Sequence, residues 1–129
     1  ELARKAIAAQ PDDAAGYFWL APALAADAPD EAIALYRQGL ELSPADGHRW
    51  LALAELLEPR DPAAALEAYL QACRHGDPGA NGCLRAGGLA EAQGDVTAAI
   101  DYYRLSNWSS ALERANELEQ QLIVGQSQE

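Results

Sequence analysis

Three prolines divide the chain at nearly equal intervals. Pro11, Pro44 and Pro78 each follow a segment whose apolar residues recur every three or four positions, a spacing typical of amphipathic helices. Proline disfavours helical geometry at the residue before it and is therefore a stop signal. We call the spacing from one of these prolines to the next the repeat interval. Because each interval has room for two helices and a turn, we predict a chain of repeated helix pairs.

The clearest helix pair lies between Arg85 and Tyr103. Small residues such as Ala86 lie on one face of its first helix, and small residues such as Ala99 lie on one face of its second. Two antiparallel helices can approach to about 8 Å only where the side chains in contact are small. Between them, Gly94 can adopt the positive φ that ends a helix, and the aspartate after it can cap the next helix. This stretch is therefore predicted to be a helical hairpin.

Two more copies of this pattern lie upstream, and one further helix follows. Valine, isoleucine and threonine are sparse and no run alternates strictly between apolar and polar residues, so no strand is predicted. We predict a single helical domain over residues 1–124. Its parts are a partial hairpin (1–10), a first repeat (14–46), a second repeat (47–78), a third repeat (79–107) and a C-terminal capping helix (110–124), followed by a disordered tail (125–129).

The charge of the chain narrows the choice of partners. Its formal net charge is −11, from 20 acidic and 9 basic residues. Nucleic acids and anionic membrane surfaces are bound through lysine and arginine, so neither is an expected partner. No run of about 20 apolar residues is present, and no signal peptide is visible. The lack of methionine suggests a piece of a longer polypeptide, and a cytoplasmic location is favoured.

The residues at fixed places in each copy resemble the tetratricopeptide repeat. That pattern has an aromatic residue, leucine followed by glycine or alanine, and then an aromatic residue or leucine. Glycine and aspartate follow at the turn, and alanine, an aromatic residue, alanine and a closing proline complete it. The first repeat supplies Tyr17, Leu20, Ala21, Leu24, Ala32, Tyr36, Gly39 and Pro44, and the second supplies Trp50, Leu53, Ala54, Leu57, Ala65, Tyr69, Ala72 and Pro78. The third supplies Cys83, Ala86, Gly87, Ala90, Gly94, Asp95, Ala99 and Tyr103. It departs from the pattern at Cys83, where an aromatic residue is usual, at Ser106, where alanine is usual, and in having no closing proline.

The resemblance implies an all-α fold, a right-handed superhelical solenoid of antiparallel helix hairpins. Each hairpin of such a solenoid buries its apolar face against a neighbour. In this family the first helices line a concave wall that binds extended peptides or partner helices. The groove positions carried over from the family are Phe18, Trp19, Pro22, His48, Leu51, Glu55, Glu58, Asn81, Leu84, Arg85 and Glu91.

These positions predict a groove with an apolar end and an acidic end. Phe18 and Trp19 are either ligand contacts or core residues, and four bulky residues in a row cannot all face one side of a helix. The acids of the other end either attract a basic partner or form a solvated face, and Arg85 can pair with one of them. Family members that clamp a carboxylate terminus use lysine and asparagine. This groove has no lysine, so that mode is not expected.

No constellation of residues suggests catalysis or a bound metal. Cys73, His75 and Cys83 are too few and wrongly spaced for a zinc site, which normally has four ligands. A disulfide between the two cysteines is conceivable, but free thiols are favoured because nothing indicates an oxidising compartment. The glycines do not form a phosphate-binding loop, and neither histidine has a catalytic partner at motif spacing. We therefore predict no enzyme, no metal and no cofactor.

The resulting hypothesis is a scaffold that binds a protein or peptide, with basic or apolar character, on its concave surface. An alternative is a structural spacer or a self-associating segment that forms homo-oligomers. A third is a regulatory appendage of an enzyme such as a glycosyltransferase, which rests only on how often repeats of this family occur there.

Overall fold

The computed structural model describes residues 2–76 and 81–127, and within them the backbone forms helices joined by short turns, with no strand. The helices are α1 (Leu2–Ala9), α2 (Ala14–Leu24), α3 (Pro29–Leu42), α4 (Gly47–Leu57), α5 (Pro62–Arg74), α6 (Asn81–Ala92), α7 (Val96–Ser106) and α8 (Ser109–Ser127). The prediction of an all-helical chain is confirmed for these residues. The predicted stop at Pro78 lies outside them.

Aspartate side chains fix the start of four helices. The Asp13 carboxylate accepts a hydrogen bond from the backbone nitrogen of Ala15 at 2.9 Å. Asp46, Asp61 and Asp95 cap α4, α5 and α7 in the same way. These oxygens satisfy amides that the first turn of a helix leaves without partners. The sequence therefore sets the helix starts locally, before any packing between helices.

In each of the first two hairpins, an aromatic side chain donates a hydrogen bond to the carbonyl oxygen of the proline that precedes the hairpin. The Tyr17 hydroxyl donates to the carbonyl oxygen of Pro11 at 2.8 Å. Trp50 Nε1 donates to the carbonyl oxygen of Pro44, also at 2.8 Å. The two pairs are separated by one repeat interval. The stop prolines therefore also supply the acceptors that position the first helix of the next hairpin.

The third hairpin has a disulfide at the corresponding place, which overturns the prediction of free thiols. Cys83, which replaces the aromatic residue, is bonded to Cys73 at the end of α5, with their Cα atoms 5.3 Å apart. That separation lies within the range that a disulfide spans, because α5 and α6 pack side by side. Disulfides are typical of oxidising compartments, whereas the sequence favoured a cytoplasmic location.

Buried alanines line the contacts between helices. Those with no exposed surface are Ala21, Ala32, Ala54, Ala65, Ala72, Ala86, Ala99 and Ala115. The main contacts of each helix are with the helices directly before and after it in the chain. Larger core residues, among them Leu53 and Tyr69, fill the space between these close contacts. The predicted small residues therefore do lie where helices meet.

Two glycines make room for aromatic rings. A Cβ atom at Gly39 would lie 2.5 Å from a ring carbon of Phe18, and one at Gly87 would lie 2.5 Å from a ring carbon of Tyr103. Both distances are far below van der Waals contact. Each ring consequently lies directly on the backbone of a neighbouring helix, which keeps Phe18 buried.

The end of the chain differs from the prediction. The last helix starts at Ser109 and continues to Ser127, so residues 125–127, predicted to begin a disordered tail, are helical. Extending an existing helix fixes one residue for each hydrogen bond gained, which is easier than starting one. Before it, Asn107 adopts a left-handed conformation with φ 60°, and the Ser106 hydroxyl donates to the Tyr103 carbonyl at 2.6 Å. Ser106 thus secures the turn at the place where the repeat pattern has alanine.

Candidate functional site

A groove of about 670 Å³ lies along α2, beside the start of α4. Its lining includes Phe18, Trp19, Pro22, Ser43, Asp46 and Arg49. The Trp19 side chain is 57 % exposed, whereas Phe18 beside it is 7 % exposed. Of the two aromatic residues that the sequence proposed as ligand contacts, Phe18 is thus a core residue that forms part of the groove floor. Trp19 presents its ring to solvent.

Arg49 supplies a cation to this groove. Its guanidinium carbon lies 5.3 Å from the centroid of the Phe18 ring, a distance that allows a cation–π interaction. Its ion pair with Asp46 is long, at 3.9 Å, and 39 % of its side chain is exposed. Sequence reasoning missed Arg49. A signal was available, because the positions one repeat interval before and after it are glycines, at 16 and 82.

At the opposite end of the predicted groove, Glu58, Tyr69 and Arg85 form a closed cluster. Arg85 Nη2 donates to Glu58 Oε2 at 3.1 Å and to the Tyr69 hydroxyl at 3.2 Å. The Tyr69 hydroxyl donates to the same Glu58 oxygen at 3.1 Å. Burial raises the pKa of Tyr69 to about 12; the nearby charge of Arg85 acts to lower it, and Glu58 acts to raise it. We call this arrangement, in which a tyrosine and an arginine share one carboxylate, a Glu–Tyr–Arg cluster.

A second Glu–Tyr–Arg cluster follows along the chain. The Tyr103 hydroxyl donates to Glu91 Oε2 at 2.8 Å, and Arg114 pairs with the other oxygen of Glu91. Arg114 also contacts Glu117 at 2.9 Å. Hydrogen bonds from Arg114 and Tyr103 hold the pKa of Glu91 below its usual range, and burial raises the pKa of Tyr103 to about 12. The glutamate and the tyrosine of this cluster each follow their counterparts in the first cluster by about one repeat interval.

These two clusters neutralise two of the three glutamates at the acidic end of the predicted groove. Glu58 and Glu91 are both occupied by arginines of the same chain, so neither presents a free negative charge to a partner. Glu55 is exposed on α4, and no ion pair of Glu55 is found within residues 2–76 and 81–127. The predicted pairing of Arg85 with an acid is confirmed.

The other predicted positions do not join these residues in one site. His48 is exposed at the start of α4. Leu51 packs against a hydrophobic cluster that includes Tyr36 and Leu53. Leu84 packs against a second, smaller cluster that includes Tyr103 and Leu118. Asn81 is partly buried at the start of α6. The structure therefore assembles a local groove around Trp19 and separate polar clusters further along.

The contact between the first hairpin (α2 and α3) and α4, which we call the first hairpin contact, lacks a Glu–Tyr–Arg cluster. The residues that correspond to Glu58 and Arg85, one repeat interval earlier, are Ala25 and Ala52. The tyrosine is retained as Tyr36, which is 5 % exposed and packs its ring near Phe18, with 6.5 Å between the centroids. Burial raises the pKa of Tyr36. The same tyrosine position thus has two different surroundings in one chain.

A scan against protein-family models finds no match, and a search of curated proteins finds none either. Over the residues that the structure describes, no group of three or more His, Cys, Asp or Glu side chains is arranged to hold a metal ion. None of the described helices combines the length and the apolar character that crossing a membrane requires.

We expect the Tyr69→Phe and Tyr36→Phe substitutions to have different effects on stability. Tyr69→Phe removes a hydroxyl that contacts both Glu58 and Arg85. It should lower the free energy of unfolding by about 1.5 kcal/mol, the usual cost of losing a hydrogen bond to a charged group. Tyr36→Phe removes a hydroxyl for which no hydrogen bond is found in the described residues, so it should not lower the free energy of unfolding. Urea denaturation followed by circular dichroism measures both, and equal losses would contradict the difference between the surroundings of the two tyrosines.

Proposed function

We propose that this chain is a protein-binding module that receives an extended peptide or a helix in the groove beside Trp19. The observation that carries the proposal is the 57 % exposure of this tryptophan at the edge of a groove whose floor is the buried ring of Phe18. Tryptophan is enriched among the residues that dominate binding energy at interfaces, where an apolar ring is desolvated against a partner.

The proposed architecture is a solenoid of helical hairpins similar to tetratricopeptide repeats. Three kinds of contact that recur at about one repeat interval support it: the aromatic donors to proline carbonyls, the Glu–Tyr–Arg clusters and the fully buried alanines. Helices that pack mainly on their neighbours in the chain also fit such a design. In this architecture α2, α4 and α6 form the binding wall.

The proposed partner makes an apolar contact at its anchor point. The groove beside Trp19 is lined by Phe18 and Pro22. Further along the wall, the ion pairs of Glu58 and Glu91 with Arg85 and Arg114 remove most of the negative charge that would favour a basic partner. Apolar surface therefore accounts for more of the expected affinity than the acidic end does.

Selection of peptides from a random display library, followed by calorimetric titration, tests this function. We expect Trp19→Ala to weaken binding of the selected peptides by at least about tenfold, as truncation of a central tryptophan commonly does. Leu105→Ala is the matched control, because Leu105 is 64 % exposed on α7 and lies outside the groove. Both variants should keep the helicity and melting temperature of the wild type.

Two results would contradict the proposed function. One is a Trp19→Ala variant that binds every selected peptide as tightly as Leu105→Ala does. The other is equal loss of binding and of folding in Trp19→Ala, since that would make Trp19 a structural residue despite its exposure.

A further inference from the structure

The first hairpin contact keeps one member of the Glu–Tyr–Arg cluster and lacks the other two. In the later contacts, the hydroxyls of Tyr69 and Tyr103 each donate to a glutamate that an arginine also holds. At the first contact the corresponding side chains are alanines, at 25 and 52. The tyrosine there has lost the carboxylate that its two counterparts possess.

The Tyr36 hydroxyl is consequently available to donate a hydrogen bond. Tyr36 is only 5 % exposed, and no hydrogen bond of its hydroxyl is found in the described parts of the chain. A buried polar group without a partner is costly, and such groups are rare in folded proteins. The charges of Arg49 and Glu55 both act on this hydroxyl. The Tyr36 ring also packs beside that of Phe18, with 6.5 Å between the centroids, and Phe18 lines the groove that contains Trp19.

The two charges lie on α4, on opposite sides of Ala52. Their separation in the sequence places Arg49 and Glu55 about 9 Å apart along the helix axis, with the alanine midway. Because that alanine stands where Arg85 stands in the next cluster, no long side chain at position 52 covers Tyr36 in the way that Arg85 covers Tyr69. Arg49 retains exposed side-chain surface on one side of this alanine.

We propose that a carboxylate of a bound peptide takes the place that Glu58 and Glu91 occupy in the two complete clusters. It accepts a hydrogen bond from the Tyr36 hydroxyl and pairs with Arg49, while an adjacent apolar side chain of the same peptide packs on Trp19. This inference rests on the proposed function and specifies the chemistry of its ligand.

A single carboxylate fits these surroundings better than other charged groups do. An amine would meet Arg49, a like charge, and as a protonated group could not accept the hydrogen bond that the tyrosine offers. Glu55 and Asp46, which lies 3.9 Å from Arg49, repel any anion, and a phosphate with close to two negative charges would be repelled about twice as strongly as a carboxylate with one. Arginine binds carboxylates through charge-assisted hydrogen bonds, and the chain itself uses this chemistry at Glu58 and Glu91.

Three pools of fluorescein-labelled decapeptides test the proposal by anisotropy. In each pool the outer positions are drawn from alanine, serine and threonine, so that no other side chain is charged. The first pool has a fixed central Glu-Leu and an amidated C-terminus. The second differs only in a central Gln-Leu. The third has the central Gln-Leu and a free terminal carboxylate, which distinguishes a side-chain source of the carboxylate from a terminal one.

The wild type should bind the Glu-Leu pool at least about fivefold more tightly than the amidated Gln-Leu pool, the usual effect of a charge-assisted hydrogen bond. Tyr36→Phe should abolish that preference. Ala25→Glu should also abolish it, because a carboxylate of the chain would then occupy the site. Tyr69→Phe is the control that removes a tyrosine hydroxyl elsewhere, and it should keep the preference.

The possible results separate this inference from the function on which it rests. Tighter binding of the third pool than of the second would support a carboxylate site filled by a chain terminus. Equal binding of all pools, lost in Trp19→Ala, would overturn the carboxylate site and leave the binding module standing. No pool bound more tightly by the wild type than by Trp19→Ala would overturn the carboxylate site, and the display selection would decide on the module separately.

Discussion

Replacing Gly82 with alanine is expected to destabilise the protein by about 3 kcal/mol or more, at the upper end of the effects of overpacking. A Cβ atom at this position would lie 2.8 Å from the backbone nitrogen of Cys73 and closer still to the carbonyl oxygen of Tyr69. Both obstacles are backbone atoms of α5, so no rotation of a side chain relieves the clash. α5 and α6 would have to separate, and the alanine contacts between them would open.

Gly88→Ala is the matched control for this effect. Gly88 lies in the same helix, and the nearest atom to an added Cβ would be the Tyr103 hydroxyl at 3.9 Å. Alanine is favoured over glycine inside a helix by roughly 0.5–1 kcal/mol, so this variant should be slightly more stable than the wild type. Urea denaturation gives both values. A Gly82→Ala variant as stable as Gly88→Ala would show that α5 and α6 do not approach as closely as described.

Reducing the bond between Cys73 and Cys83 should lower the free energy of unfolding by about 3 kcal/mol, the amount by which a closed loop of this size restricts the unfolded state in the chain-entropy model. The sequence separation of the two cysteines is 10. Thermal denaturation with and without a reductant measures the effect as a fall in melting temperature.

Cys73→Ala provides the control for reduction. It cannot form the bond, so its melting temperature should match that of the reduced wild type and should not respond to the reductant. An oxidised wild type that melts at the same temperature with and without reductant would contradict a stabilising disulfide. Counting free thiols in the native and unfolded protein verifies the oxidation state in each measurement.

The helices could be predicted because their signals are local. Proline and aspartate act within one turn of the residues that they affect, and the small residues recur at the helical period. The left-handed turn at Asn107 and the length of α8 were harder to predict from the sequence. The first depends on a side chain, Ser106, that departs from the repeat pattern, and the second on packing that holds the start of the helix in place.

The candidate site was predicted only in part, because its decisive contacts join residues far apart in the chain. Periodicity could not decide between Phe18 and Trp19, since adjacent bulky residues differ by only about 100° around a helix. The burial of Phe18 depends on Gly39 in another helix. Likewise, Glu58 and Arg85 lie on either side of α5 in the sequence, so the number of acidic residues alone gave no sign that the charge of Glu58 is neutralised.

The order in which the helices pack also bears on how the chain reaches its native state. Because each helix mainly contacts the helix next to it, folding has to close only short loops, and proteins rich in such local contacts fold rapidly. Thiol oxidation takes seconds to hours. The helical structure should therefore form well before the covalent link between α5 and α6, with the paired helices bringing the two sulfur atoms together.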